Sequence, residues 1–259
     1  MSPAAPPESG KASAFSWSAP PATLSLDLGE VHVWRSDLDA QEDDDVARLA
    51  GTLAPDERAR AASFVFAPDR RRFTVARAAL RDVLARYLDV APEAVTLGRT
   101  GEGRPTLTGA LAGALGFSVS RSAGLALCAV APGPEIGIDV ERIMRGVAED
   151  VVDDRVLSPA EAVVLRALPP GTRERAFFAV WTRKEAYAKA RGLGLALPFD
   201  RFTVSTDLAA PALLAVADDD PERWTLRDLD VGAEYAAALA MERALDRVVG
   251  WEWPGLSPR

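Results

Sequence analysis

One cysteine and one histidine in 259 residues exclude several kinds of chemistry at once. A lone Cys128, set in the apolar run LALCAVA, cannot close an intramolecular disulfide, and free cysteine packs like a small hydrophobe, so a core thiol is expected. A single His32 excludes any zinc centre built on several histidines. It alternates with Val31 and Val33 in LDLGEVHVWRSDL, and nothing near it in sequence would orient it as a base, so a structural histidine is expected. No apolar run approaches the ~20 residues needed to cross a bilayer. The first twenty or so residues are rich in Pro, Ala and Ser and lack the charged start and apolar core of a secretory signal. Residues 1–22 therefore read as a disordered tail, and a cytoplasmic location away from membranes is expected.

Positive charge is also scarce. Thirty Lys and Arg against 38 Asp and Glu give a net charge of -8, which argues against a general nucleic-acid binder. Hydrophobic residues at 48% are enough to fill a sizeable core. The exception is local: between Pro55 and Arg104 ten arginines stand against seven acids, a basic island in an acidic chain.

The coarse pattern is mixed. The acidic cluster DAQEDDD opens a helix through VARLAGTL, where negative charge suits the helix dipole. DRRRFTVARAALRDVLARYL carries Phe73, Ala76, Leu80, Leu84 and Tyr87 near helical spacing, flanked by arginines. GRTGEGRPTL reads as a turn before a proline-headed strand and matches neither a dinucleotide fingerprint nor a P-loop. Two apolar strands joined by APGPE follow. LSPAEAVVLRAL then starts a helix with Ser158 as N-cap, Pro159 at the first position and Glu161 closing a capping box. TRERAFFAVWTRKEAYAKARG is the longest helix, stopped at Gly192. LALPFDRFTVS, RWTLRDL and EYAAALAME read as strands. A two-half organisation is expected, with residues 23–135 in the first half, 136–252 in the second and 253–259 as a C-terminal tail.

The chemistry concentrates in IGIDVERI. Residues i and i+2 of a strand share a face, so Asp139 and Glu141 point the same way and repel. An all-oxygen pair is held ionised by a hard divalent cation such as Mg²⁺, or else lies on a solvated edge with Arg142 or Arg145 as counter-charge. Glu185 lies beside the aromatic stripe of the long helix, four residues after Trp181, and needs compensation too. Lys189 one turn on supplies an ordinary helical ion pair, and a third metal carboxylate is the other reading.

GIDVERI, followed some forty residues later by WTRKEAYAKARGLGL and preceded by GRP and FSVSRS in that order, resembles the Sfp-type 4′-phosphopantetheinyl transferase family. The resemblance implies an α+β fold of two pseudo-symmetric halves, each a long helix packed on a small antiparallel sheet, with the active site in the cleft between them. The implied activity is transfer of the 4′-phosphopantetheine arm of coenzyme A to a serine of an apo acyl or peptidyl carrier protein, releasing 3′,5′-ADP. It implies a monomer, with Mg²⁺ as cofactor and Mn²⁺ as its substitute. By position, the implied metal ligands are Asp139, Glu141 and Glu185, with Glu185 and Lys189 catalytic. The implied coenzyme A contacts are Arg104, Ser120 and Arg121, with Arg72 and Arg60 in the same role. Most relatives carry histidine where this chain has Arg121, which offers a fixed fork of donors but exchanges no proton near neutral pH. The carrier is expected to dock along the stretch from Arg142 to Leu168. A carrier-binding module without turnover and a Mg²⁺-dependent coenzyme A phosphohydrolase are the alternative functions.

Overall fold

The computed structural model describes residues 15–133, 135–146 and 156–256, the Leu195 side chain excepted. Its first sheet has the order β1-β12-β2-β6-β5, from β1 (Trp17–Ser18), β2 (Glu30–Asp37), β5 (Gly116–Ser122), β6 (Leu125–Ala131) and β12 (Arg247–Glu252). The second has the order β10-β11-β7, from β7 (Ile136–Arg142), β10 (Trp224–Asp228) and β11 (Tyr235–Glu242). Two short hairpins accompany them: β3 (Leu97–Arg99) with β4 (Pro105–Leu107), and β8 (Phe202–Val204) with β9 (Leu213–Val216). The described helices are α1 (Asp43–Gly51), α2 (Pro55–Ala62), α3 (Ala67–Leu88), α4 (Pro159–Ala167) and α5 (Pro170–Ala190).

Each sheet carries one long helix, as the α+β expectation had it. Val75, Leu80, Val83 and Leu84 of α3 pack with Trp34, Cys128 and Val130 on one face of the first sheet. Phe177, Val180 and Tyr187 of α5 pack with Leu226, Ala238 and Ala240 on the second. Alternation along the strands leaves Val31, Val33, Leu127 and Ala129 on the remaining face of one sheet and Ile136, Ile138, Val140 and Leu239 on that of the other, and these close a third cluster between the sheets. The result is helix, sheet, sheet, helix.

Two details depart from the expected organisation. The second sheet is antiparallel throughout, but β12 joins β2 in parallel register, so the C-terminal strand returns to the first half. Trp17–Ser18 lies inside the stretch read as a tail, yet it pairs with Gly250 and Trp251, and Phe15 and Trp17 pack on the inter-sheet cluster. Two aromatics in that Pro/Ala/Ser-rich segment supply apolar area that its average composition hides.

Helix boundaries follow local chemistry. Ser158 Oγ accepts the Glu161 N–H at 3.3 Å while Glu161 returns a carboxylate oxygen to the Ser158 N–H at 2.8 Å, the expected capping box. Helix α5 ends at Ala190, with Gly192 at φ 71°. His32 is buried, its Nδ1 2.7 Å from the Tyr87 hydroxyl and its Nε2 3.5 Å from Glu30, as a structural histidine should be. Burial pushes the Cys128 thiol up to about 12, which leaves it inert. Among the described residues no helix is long and apolar enough to cross a membrane.

Candidate active site

The edges of the two sheets face each other along β5 and β7, and serines bridge them. Ser118 Oγ accepts the Ile138 N–H at 3.1 Å, Ser120 Oγ donates to Asp139 Oδ1 at 2.7 Å, and Ser122 Oγ donates to Glu141 Oε2 at 2.6 Å. Asp139 is 2% exposed and Glu141 is half-buried. Helix α5 covers this strand at unusually short range, because Gly137 has no side chain to keep it away: a Cβ there would stand 1.9 Å from the Ala186 carbonyl oxygen. That approach brings Lys189 to the carboxylates. Its Nζ donates to Asp139 Oδ1 at 2.6 Å and to the Ile138 carbonyl at 3.1 Å.

Glu185, one turn before Lys189, is half-buried on the same side of the helix. Burial, then the charges of Asp139 and Glu141, push its carboxyl up to about 7 against the opposing pull of Lys189. Glu141 is raised in the same way by burial and by Asp139, while the Ser122 hydroxyl, Lys189 and the Trp181 indole favour its charged form. Three carboxylates from a strand and a distant helix therefore feel one another. Among the described residues no three such groups form a ready-made metal cluster, and Lys189 occupies one oxygen of Asp139.

The donor set nonetheless fits a hard cation. Asp139 Oδ2 is buried and accepts no hydrogen bond, and a buried carboxylate oxygen without a partner is costly. All three carboxylates offer oxygen, the donor Mg²⁺ and Mn²⁺ prefer. A cation would satisfy the orphaned oxygen and relieve the mutual repulsion that raises Glu185.

The expected coenzyme A contacts are less uniform. Arg104, Glu185 and Lys189 line one cavity of about 250 Å³ with Phe117, Ser118 and Gly192. The Arg104 guanidinium is already engaged, donating to the carbonyls of Ile136 at 3.0 Å and Ala190 at 3.4 Å. Arg121 is exposed and stands with its guanidinium carbon 6.0 Å from the Phe73 ring, close enough to Arg60 for the two charges to repel. Arg60 lies over Phe64 at 5.0 Å. Arg72 grips Asp39 with both arms of its fork, at 2.8 and 2.7 Å. The basic island as a whole is thus less available than its charge suggests: Arg71 pairs with Asp43, Arg77 and Arg81 with Glu57, and Arg86 with Asp82. Of the proposed docking stretch, residues 147–155 lie outside the described residues; Met144 and Arg145 before them are exposed.

Several residues that build the site carry no local sequence signal. Ser118 and Ser122 show their role only across the sheet gap. Lys184, next to Glu185, is fully buried against Glu161 at 2.7 Å and also donates to the Phe202 carbonyl, fixing the helix face opposite the site. The capping residue Glu161 was visible in the sequence, but its pairing with Lys184 was not.

Comparison with known proteins is consistent along the chain. Residues 135–240 match the 4′-phosphopantetheinyl transferase superfamily model, and residues 40–133 match a model for the N-terminal part of 4′-phosphopantetheinyl transferase. The 4′-phosphopantetheinyl transferase HetI of Nostoc sp. is 37% identical over 92% of this chain and 95% of that protein. A 4′-phosphopantetheinyl transferase of Bacillus subtilis is 28% identical over 78% of this chain and 86% of that protein. A crystal structure of a holo-(acyl-carrier-protein) synthase from Bacillus anthracis in complex with CoA (3′,5′-ADP) overlaps 42% of this chain and 96% of that one, with 25% identity and a TM-score of 0.34, too partial a match to add to the sequence relationship.

Proposed function

The chain belongs to the 4′-phosphopantetheinyl transferase superfamily, and on that premise we propose that Asp139, Glu141 and Glu185 hold a divalent cation while Glu185 and Lys189 handle the protons of the transfer. The enzyme moves the 4′-phosphopantetheine arm of coenzyme A onto a serine of an apo carrier protein and releases 3′,5′-ADP. The observation that carries the residue assignment is the buried, unpartnered Asp139 Oδ2, set within the field of Glu141 and Glu185 and beside Lys189.

Mg²⁺ or Mn²⁺ held by these oxygens would neutralise the diphosphate and ease departure of the nucleotide. Glu185, raised toward neutrality by burial and its acidic neighbours, accepts the proton of the carrier serine. The serine oxygen attacks the β-phosphorus, and the bond to the bridging oxygen of 3′,5′-ADP breaks. Lys189 stabilises the charge on that leaving group or protonates it. Arg104, Arg121, Ser120 and Arg60 line the approach for coenzyme A phosphates, and Arg72 joins them by exchanging Asp39 for a phosphate. Positioning and charge neutralisation supply most of the acceleration.

The carrier docks its acidic, serine-bearing helix along residues 142–168, where Arg142, Met144, Arg145, Val163 and Val164 are exposed. Both halves of the cleft lie in one chain, so the working unit is a monomer, and we place it in the cytoplasm. Fatty-acid, polyketide and nonribosomal-peptide carriers are the candidate acceptors. Incubation with coenzyme A and Mg²⁺, with and without an apo carrier, tests the reading by mass. The carrier should gain the phosphopantetheine arm; coenzyme A cleaved without a carrier would mark a phosphohydrolase, and an unchanged carrier with intact coenzyme A a binding module.

A further inference from the structure

We propose that Ser122 is a positioning residue for Glu141, holding its carboxylate from the opposite sheet. The inference rests on the reading of Asp139, Glu141 and Glu185 as the acidic centre and adds to it a residue that none of those assignments includes. A serine hydroxyl has one hydrogen to give. Ser122 Oγ accepts the Arg142 N–H at 3.0 Å, and with that side of the oxygen taken its hydrogen is aimed at Glu141 Oε2, 2.6 Å away. The hydroxyl is therefore held from both directions, with no freedom to turn elsewhere.

Its own anchor is firm. Ser122 ends β5 and pairs with Leu125 across the two-residue turn Ala123–Gly124, with Ala123 in the left-handed region at φ 49°. The Gly124 carbonyl accepts the Leu38 N–H at 2.8 Å, tying the turn to the end of β2. The position from which Ser122 reaches Glu141 is thus set by the first half of the molecule, while Glu141 itself belongs to the second.

The neighbours on Glu141 divide the task. Trp181 and Lys189 approach from α5, and Asp139 repels from two residues away on β7. Ser122 is the partner that comes from the other sheet, so it fixes the Glu141 carboxylate relative to Ser120 and Asp139, which are joined across the same gap. Without that hydroxyl, Glu141 keeps its backbone position on β7 and its neighbours on α5, but its carboxylate loses its tie to the first sheet. Supporting groups of this kind typically contribute ten- to a hundredfold to metal affinity.

The test uses the full chain and reads metal binding directly. Mn²⁺ is titrated by electron paramagnetic resonance without coenzyme A or carrier, and the Mg²⁺ concentration for half-maximal transfer is measured at saturating coenzyme A. Ser122→Ala is expected to weaken Mn²⁺ binding about ten- to a hundredfold and to raise the Mg²⁺ requirement in parallel, with kcat at saturating Mg²⁺ nearly retained. Ser122→Thr, which restores the hydroxyl, should recover most of both. Ser122→Cys keeps the shape with a weak donor and replaces S122A, with the same loss expected, should S122A melt before it can be titrated. Wild-type Mn²⁺ affinity in S122A or S122C, alongside a large loss in Glu141→Ala, would overturn the role of Ser122 and leave the acidic centre standing. Wild-type Mn²⁺ affinity in E141A would overturn the acidic centre itself.

Discussion

Gly137 lies directly beneath Ala186: a Cβ at residue 137 would come within 1.9 Å of the Ala186 carbonyl oxygen and 2.5 Å of the Ala190 amide nitrogen. Both atoms are backbone, so neither can swing aside like a flexible side chain. The contact sets the distance between the strand bearing Asp139 and Glu141 and the helix bearing Glu185 and Lys189.

Gly137→Ala should therefore act on catalysis and stability together. Helix α5 has to lift from β7, which stretches the 2.6 Å Lys189–Asp139 contact and loosens the core beneath Tyr187. Overpacking of this kind costs about 1–3 kcal/mol. Thermal melting should fall accordingly, and kcat/KM for the carrier should drop at least about tenfold, since small misplacements of reacting groups are expensive. A folded G137A enzyme of wild-type activity would show that the helix position is not what sets the site.

Glu185→Gln separates binding from chemistry. The amide keeps the shape of the side chain but accepts no proton, and it removes one of three repelling charges. Coenzyme A affinity should stay within a few-fold of wild type, while transfer falls by roughly two orders of magnitude or more, the usual scale of a lost general base. Stopped-flow transfer to an apo carrier, set beside calorimetric titration with coenzyme A, reads both quantities. Near-normal transfer would remove Glu185 from the proton path.

How much of this was written locally in the chain can be judged residue by residue. Period two in IGIDVERI places Asp139 and Glu141 on one face, and the structure puts them there. Ser158 with Glu161, and Gly192, mark helix ends by short-range chemistry, and the helices begin and end there. The serine bridge, the Gly137 contact and the Lys184–Glu161 pair are different in kind, because each joins residues far apart in sequence. Periodicity reports which face a residue occupies but not what lies opposite it. The arginines show the same limit in reverse. Between Pro55 and Arg104 they form a basic island by count, but Arg77 and Arg81 face Glu57, which no local pattern foretells. Charge counted along a sequence overstates the charge left free once the fold has paired it.

That arginine pair makes the last prediction, one about acid stability. Glu57 is 4% exposed on α2 and joins this short helix to α3 through Arg77 and Arg81, while its other hydrogen bond, 2.9 Å from the Ala54 N–H, caps α2 itself. Burial alone would raise its carboxyl, but the Arg81 hydrogen bond, the Ala54 N–H and the two guanidinium charges outweigh burial and hold it below the ordinary 4.5. A carboxylate lowered in the folded state binds fewer protons there than in the unfolded chain. Its stabilisation is therefore complete above the ordinary value and is lost as pH falls through the lower, folded one. Urea midpoints measured from pH 7 down to pH 3 should decline below about 4.5. Glu57→Gln should start lower at pH 7, because buried Arg81 and half-buried Arg77 lose their counter-charge, and should decline less steeply in acid. Parallel declines in the two proteins would mean that acid sensitivity arises elsewhere in the molecule and that the α2–α3 junction does not depend on the ionised form of Glu57.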